Sequence, residues 1–456
     1  MSSNISVRKL SLFTISWPIF VETALQMFLR TSDTFMLSSV GDDAVAAVGV
    51  ANQIIMFNVI IMNFVSVGAA IVIAQYLGAK MRDEIPRLVA TALPLNFLFG
   101  LLLSAIIVFF NTSLLGIFGL EEALFSQAKI YLIIVGGTLF VQAVMITISA
   151  IVQVHGFTRD TMVVVIGMNL FHVALNYCFI YGAIGFPQLG VTGVAISTLI
   201  SQILGLTANL LVLNRRVQIK LLWKDIVRWK RDHVTKILKV GIPSSASQLS
   251  YFASQIVTTI FIASLGSELL TTRIYTQNIM FFVMILAISL GRGLQIIVGH
   301  LIGAREFEEA NKQVMLNLGR SLILTLCAMS IIAIFRYPLL KLFTHDPDIL
   351  SIGAVLILLG FLMEPGRNFN ILLERSLQAT GDMRFTMGTS VIVIWVFSIP
   401  LIYLLGLHWS YGLIGMWVGL IADEWVRGFI LFLRWKSKAW VHKALVKKDL
   451  KKTLPG

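Results

Sequence analysis

The stretch QVHGFTRDTM at 153–162 returns as QATGDMRFTM at 378–387, and that pairing settles how the chain is organised. Gln153, Gly156, Thr161 and Met162 fall on Gln378, Gly381, Thr386 and Met387 at a constant offset of 225 residues. The same offset carries Pro18 onto Pro243 and Gly41 onto Gly266, and Gly78-Ala79-Lys80 is echoed by Gly303-Ala304-Arg305. A chain of 456 residues that repeats near its middle is one unit written twice. Two similar halves around a shared site is how many secondary transporters are built.

Composition says what kind of unit it is. Hydrophobic residues fill 57% of positions and charged ones 13%, against about 25% charged in a soluble domain. Nearly uncharged runs such as 93–110 and 322–335 recur along the chain, and a bilayer-crossing helix needs roughly 20 apolar residues. Twelve such segments fit, beginning near Leu10, Ala46, Leu88, Leu124, Thr161, Gly190, Val234, Leu269, Asn311, Ile349, Phe385 and Gly412. The expected fold is an all-α polytopic membrane protein of 12 transmembrane helices in two pseudo-symmetric six-helix lobes. Six is even, so both halves enter from one side and the repeat is parallel.

The net charge of +13 reads as topology rather than nucleic-acid binding. Arg8, Lys9, Lys80, Arg82, Arg87 and Arg159 fall in alternate connections, while Asp42, Asp43, Glu121, Glu122 and Glu268 fall in the others. That is the positive-inside pattern for a multi-pass cell-membrane protein with both termini cytoplasmic. The divisions expected are an N-terminal lobe over 1–214, an interfacial linker over 215–239, a C-terminal lobe over 240–435 and a basic tail over 436–456. Trp223 and Trp229 in the linker, and Trp435 and Trp440 at the tail, are interleaved with Lys and Arg as in helices lying on anionic headgroups.

Polar residues inside the spans are the candidate site, because an ionised side chain at mid-bilayer costs about 2.5–3.5 kcal/mol on insertion scales. In span 1, Glu22, Gln26 and Asp33 recur at helical spacing, with Arg30 beside them. Asp33 lies seven residues before Val40, roughly 10 Å below the outer end at 1.5 Å per residue. Buried there it would favour its neutral form and release a proton when hydrated; its carboxylate also suits Na+. An Arg30–Asp33 pair along the helix face is the structural alternative. Asn52 and Asn63 share a face of span 2, and Asn169, His172 and Asn176 follow at i, i+3 and i+7 in span 5. These suit a cavity lining or inter-helix hydrogen bonds. In the second half, Gln277, Glu364 and Arg367 sit among further charges, including Asp423, Glu424 and Arg427. They form either a neutralising network or substrate contacts, with Glu364 drawing cations or Arg367 drawing anions. Pro18 and Pro243 are expected to kink or start their helices.

No Gly-rich Lys-Ser/Thr loop for ATP occurs, and neither a nucleophile motif nor metal-ligand spacing supports an enzyme. Trp17-Pro18, then Asp33-Thr34-Phe35-Met36 running into Gly41, resembles the opening signature of the multidrug and toxic compound extrusion family. Gln75-Tyr76-Leu77-Gly78-Ala79 with its echo at 300–304, the loops at 153–158 and 378–382, and the span around Asn176-Tyr177 are similar to that family in order and spacing. The resemblance covers essentially the whole chain and extends to the broader group that includes polysaccharide and lipid flippases. It implies two six-helix lobes in a V, exporting amphipathic and often cationic small molecules in exchange for H+ or Na+. Asp33 matches the family's span 1 acid and would take the coupling ion, serving as a metal ligand only if that ion is Na+. Asn176 stands where one branch has an aspartate, and members with a span 7 glutamate place it near Tyr251, where this sequence has no carboxylate. No cofactor beyond the ion is expected, nor any nucleic acid, and the chain is expected to act as a monomer. A flippase for a lipid-linked or anionic substrate is the alternative, motivated by Arg273, Arg292 and Arg367.

Overall fold

The computed structural model describes residues 11–219 and 229–446, and the elements in those residues are helices. The first half holds α1 (Leu12–Ser38), α2 (Asp42–Gly78), α3 (Ile85–Gly116), α4 (Glu122–Tyr131), α5 (Leu139–Val154), α6 (Thr158–Tyr181) and α7 (Gly190–Val212). The second holds α8 (Arg231–Ala263), α9 (Ser267–Gly303), α10 (Phe307–Ile334), α11 (Arg336–Lys341), α12 (Pro347–Thr380), α13 (Met383–Ile392), α14 (Ile399–Tyr403) and α15 (Gly412–Lys436).

Among the described residues nine helical stretches are long and apolar enough to cross a membrane. A tenth is the pair Glu122–Gly136 and Leu139–Val154, bent by 46°. Two further rods, α8 and α15, run for 33 and 25 residues. They are more polar: α8 opens on Arg231-Asp232-His233, and α15 carries Asp423, Glu424 and Arg427. Large apolar side chains such as Phe35, Phe109 and Ile184 cover the outside, as contact with hydrocarbon requires.

The sequence repeat becomes a repeat of backbone geometry. Gly41 and Gly266, which break α1 from α2 and α8 from α9, both take positive φ, at 150° and 119°. So do Gly156 and Gly381, at 89° and 102°, and Lys80 and Arg305, at 59° and 64°. Each pair is 225 residues apart. A left-handed residue after a helix closes its last carbonyls, so the same punctuation ends the same helices in both halves.

By their contacts the residues fall into two units. An N-terminal unit comprises Val21–Ile73 and Met81–Ser245; a C-terminal unit comprises Met1–Phe20, Ala74–Lys80 and Ala246–Gly456. The first is built on a core that includes Leu37, Met62, Ile107 and Leu132, and the second on one that includes Ile262, Ile357, Met416 and Trp417. Asn96 knits the N-terminal unit, its Nδ2 donating to Thr147 Oγ1 at 2.7 Å and Ala143 O at 2.9 Å, while Ser66 bonds Thr147 at 2.9 Å. Such inter-helix bonds are the glue of membrane bundles.

Close helix crossings also repeat. In the N-terminal unit α2 and α8 meet at Gly68 and Gly241, where a Cβ on either would overlap the other helix's backbone carbonyls. In the C-terminal unit α9 and α1 meet at Gly293 and Ser16, the same crossing one repeat away. A third crossing pairs the end of α2 with the end of α9. A Cβ on Gly78 would overlap the carbonyl oxygen of His300, and one on Gly303 would overlap that of Gln75. Gly78 and Gly303, like Gln75 and His300, are repeat equivalents, so this contact is reciprocal.

The linker expected over 215–239 is described only at its ends, as a π-helical turn at Leu213–Val217 and the start of α8; residues 220–228, with Trp223, lie outside the described residues. The tail departs from the interfacial reading. Trp435 and Trp440 are buried and stacked, with ring centroids 4.4 Å apart, and Trp440 Nε1 donates to Trp435 O at 2.9 Å. Beyond them Leu445 N donates to Gln75 Oε1 at 2.8 Å, while Gln75 Nε2 donates to Ala379 O at 2.7 Å. The tail as far as residue 446 therefore packs into the C-terminal unit, where the stacked indoles are buried and the Trp440 N–H has its acceptor. Gln75→Ala should cost about 1–3 kcal/mol by orphaning both backbone groups. The check is a lowered melting midpoint for that variant relative to wild type.

Candidate functional site

Asp33 stands near the end of α1 and meets two side chains of α6. Asn176 Nδ2 donates to Asp33 Oδ1 at 2.7 Å, and His172 Nε2 lies 2.9 Å from the same oxygen. Asn176 Nδ2 is also 3.0 Å from His172 Nε2, so the three atoms form a triangle. The spacing of i and i+4 on α6 puts both groups on one face. The side chains of His172 and Asp33 are 3% and 16% exposed, so the carboxylate keeps an opening that the imidazole lacks. One turn earlier, Asn169 Nδ2 donates to Leu25 O at 3.2 Å. The Oδ1 atoms of Asn169 and Asn176 are buried with no hydrogen-bond partner. A buried polar atom left orphaned calls for a water, a proton donor or a cation.

Arg30 does not join this group. Its Nη1 reaches Met56 Sδ at 3.5 Å, and Arg30 is exposed. The Arg30–Asp33 pair is thus replaced by contacts from α6, whose groups are held in place by burial rather than by one helix's own spacing.

Glu22 lies apart from Asp33 in a second buried cluster. Gln153 Nε2 donates to its Oε2 at 3.0 Å and Thr161 Oγ1 at 3.3 Å. Gln153 and Thr161 are residues of the repeat. In the C-terminal unit their copy Gln378 donates to Glu374 Oε1 at 3.1 Å, and Glu374 in turn bonds Ser247. The repeat maps Glu22 onto Ser247 and Ser149 onto Glu374. Acid and serine have exchanged places between the halves, each half keeping one carboxyl beside its glutamine, buried in Glu22 and half-buried in Glu374. Glu374 carried this signal in the sequence, in its position against Ser149.

Asn52 accepts from the Tyr131 hydroxyl at 3.4 Å, Gln26 is exposed and Asn63 half-buried; none of the three hydrogen-bonds to the Asp33 group. Gln277, half-buried on α9, and Glu364 and Arg367 on α12 belong to the C-terminal unit. There Arg367 is held by Glu364 at 2.5 Å and Glu424 at 3.3 Å. Arg427 bonds Asp423 and lies 3.0 Å from Glu424, which also accepts from Asn370 Nδ2 at 2.8 Å. Ser398, closing a π-helical turn at Val393–Ser398, donates to Asp423. Three carboxylates thus enclose two guanidiniums, and the arginines are spoken for. Arg273 is likewise 3% exposed and tied to Thr259 and Gln255 at 2.6 and 2.9 Å.

Comparison with known proteins adds to this geometry. The family profile MatE matches residues 18–178 and 243–404, one segment in each half. The uncharacterized transporter YisQ of Bacillus subtilis (strain 168) is 41% identical over 95% of this chain and 96% of its own. A probable multidrug resistance protein NorM of Thermotoga maritima is 27% identical over 98% of this chain and 96% of its own. A crystal structure of a MATE protein in the bent conformation superposes with a TM-score of 0.87 at 19% identity, covering 94% of both chains.

Proposed function

Since the chain belongs to the MatE family, the multidrug and toxic compound extrusion transporters, we propose that it is a secondary active multidrug efflux antiporter. It exports amphipathic, often cationic organic compounds in exchange for H+ or Na+. The family is one of transporters, so the chain is a multi-pass membrane transporter and not an enzyme. Its two termini lie in the cytoplasm, where the basic connections face anionic headgroups.

One observation carries the reading: a carboxylate inside an apolar span, partly open, held by an amide donor and an imidazole nitrogen of a facing helix. An ion bound there changes the charge that α1 presents to α6. Binding drives an alternating cycle only through its differential affinity for the two states, and neutralising a buried charge supplies such a difference. Arg273 and Arg367 are engaged by neighbouring side chains, which favours a cationic over an anionic cargo at those two positions, whereas Arg292, the third arginine behind the anionic alternative, is exposed.

Cells stripped of their own dye pumps should accumulate less ethidium when they express this chain, and an ionophore should restore accumulation. Asp33→Asn should slow efflux by about tenfold or more, with unchanged protein in the membrane. Wild-type efflux by that variant would sink the coupling role of Asp33.

A further inference from the structure

A guanidinium without a partner stands between two close helix crossings of the C-terminal unit. In the run Gly291-Arg292-Gly293 of α9, the first glycine receives α12: a Cβ there would lie 2.9 Å from Ile371 Cγ2 and 3.3 Å from Arg375 Cγ. The second glycine receives the leading segment of α1 at Ser16. Residues of a helix follow one another about 100° apart around its axis, so Arg292 faces the gap between those two neighbours. It is exposed there and makes no hydrogen bond or ion pair among the described residues. The half-buried Arg375 brings a second positive charge against it.

One carboxylate stands beside these two cations, and it is already in use. Glu374 accepts from Gln378 Nε2 at 3.1 Å, bonds Ser247, and faces Arg427 as well as Arg375. Arg375 Nη1 and Gln295 Nε2 both turn to Gln378 Oε1, at 3.4 and 3.3 Å. Arg375 thus spends one long bond on an amide, and Arg292 spends none. An ionised side chain on a membrane helix is costly to keep and marks a functional site.

We propose that Arg292 and Arg375 bind a phosphate group, whose negative charge completes a cluster of two guanidiniums and one carboxylate. Two forks from two helices offer more donors than the two oxygens of one carboxylate take up, whereas a phosphate presents three or more oxygens around one centre. Depth suits the same ligand. Arg375 stands five residues before the end of α12 and Arg292 eleven before the end of α9, roughly 8 and 16 Å along the helix axes. Long basic side chains at such depths extend towards the headgroup level. Two sources carry this chemistry: the headgroup of an anionic lipid and a free phosphorylated molecule. The site holds or fails independently of the exporter reading, because it requires only a membrane protein.

The test follows the melting midpoint of the full-length protein in a neutral detergent. Phosphatidic acid added to the micelles should raise the midpoint of wild type saturably, and diacylglycerol with the same chains should not. Glycerol phosphate in the aqueous phase is the soluble arm. Saturation by the lipid alone supports the site with a headgroup as its ligand; saturation by glycerol phosphate as well supports it with a soluble one. Arg292→Gln should weaken binding of the responding probe by about tenfold or more. Arg292→Lys, which keeps the charge but loses the fork, should weaken it less, and Lys438→Gln on the tail not at all. Should Arg292→Gln fail to fold, Arg375→Gln carries the same expectation. No response to either phosphate, an equal response to diacylglycerol, undiminished affinity in the glutamine variant, or an equal loss in Lys438→Gln would each overturn the proposal. Dye efflux by wild type is measured separately and bears on the exporter reading alone.

Discussion

Arg427→Met is expected to leave almost no folded protein in the membrane fraction. Arg427 is 4% exposed and bonds both Asp423 and Glu424 from within α15. Its loss leaves Glu364, Asp423 and Glu424, all buried, with Arg367 as the remaining cation of the network. Breaking a buried ion pair by removing one partner costs about 3–5 kcal/mol, because the charge left behind has no water to turn to. Restoring the balance should restore the fold: Arg427→Met with Asp423→Asn returns two carboxylates to one guanidinium and should recover a large part of the loss. The measurement is the monodisperse fraction on size-exclusion chromatography after heating. A single variant as stable as wild type would mean that the network holds nothing together.

The second large effect is expected at the reciprocal crossing of α2 and α9. Gly78→Ala and Gly303→Ala each drive a methyl into a backbone carbonyl, of His300 and Gln75 respectively. A backbone cannot rotate aside as a flexible side chain does, so the helices must part. Overpacking of this kind costs about 1–3 kcal/mol and more where nothing yields. Because the two glycines face each other across one contact, the separation forced by the first alanine makes room for the second. The double variant should therefore lose less than the sum of the singles, and the coupling is read from a double-mutant cycle of melting free energies. Strict additivity would mean that the two sites do not share a contact.

Much of this was open to reading before any coordinates. The repeat of Gly41, Gly156 and Lys80 in Gly266, Gly381 and Arg305 foretold turns, because positive φ is a local demand that a few residues announce. The i and i+4 spacing of His172 and Asn176 put them on one face for the same reason. What faced them was not legible. Arg30 is the nearest cation to Asp33 along the chain, yet it turns to Met56, since the partner is chosen by which helix packs alongside. The partition of Glu364, Arg367, Asp423, Glu424 and Arg427 into bonds was hidden for the same reason. Trp435 and Trp440 misled because Arg434, Lys436 and Lys438 stand close to them in sequence, whereas their neighbours in space are each other.

The division of α1 and α8 between the two contact units has an evolutionary consequence. The C-terminal unit owns α1 up to Phe20 and the N-terminal unit owns α8 up to Ser245, two residues past Pro18 and Pro243. Each gene half thus lends the leading segment of its first helix to the other, in the manner of swapped arms. A half-length ancestor would have lacked the buried Ile15 and Ile19, or Ile237 and Val240, that each unit takes from the other half. The halves made as separate polypeptides should still find one another when co-expressed, and neither should persist alone.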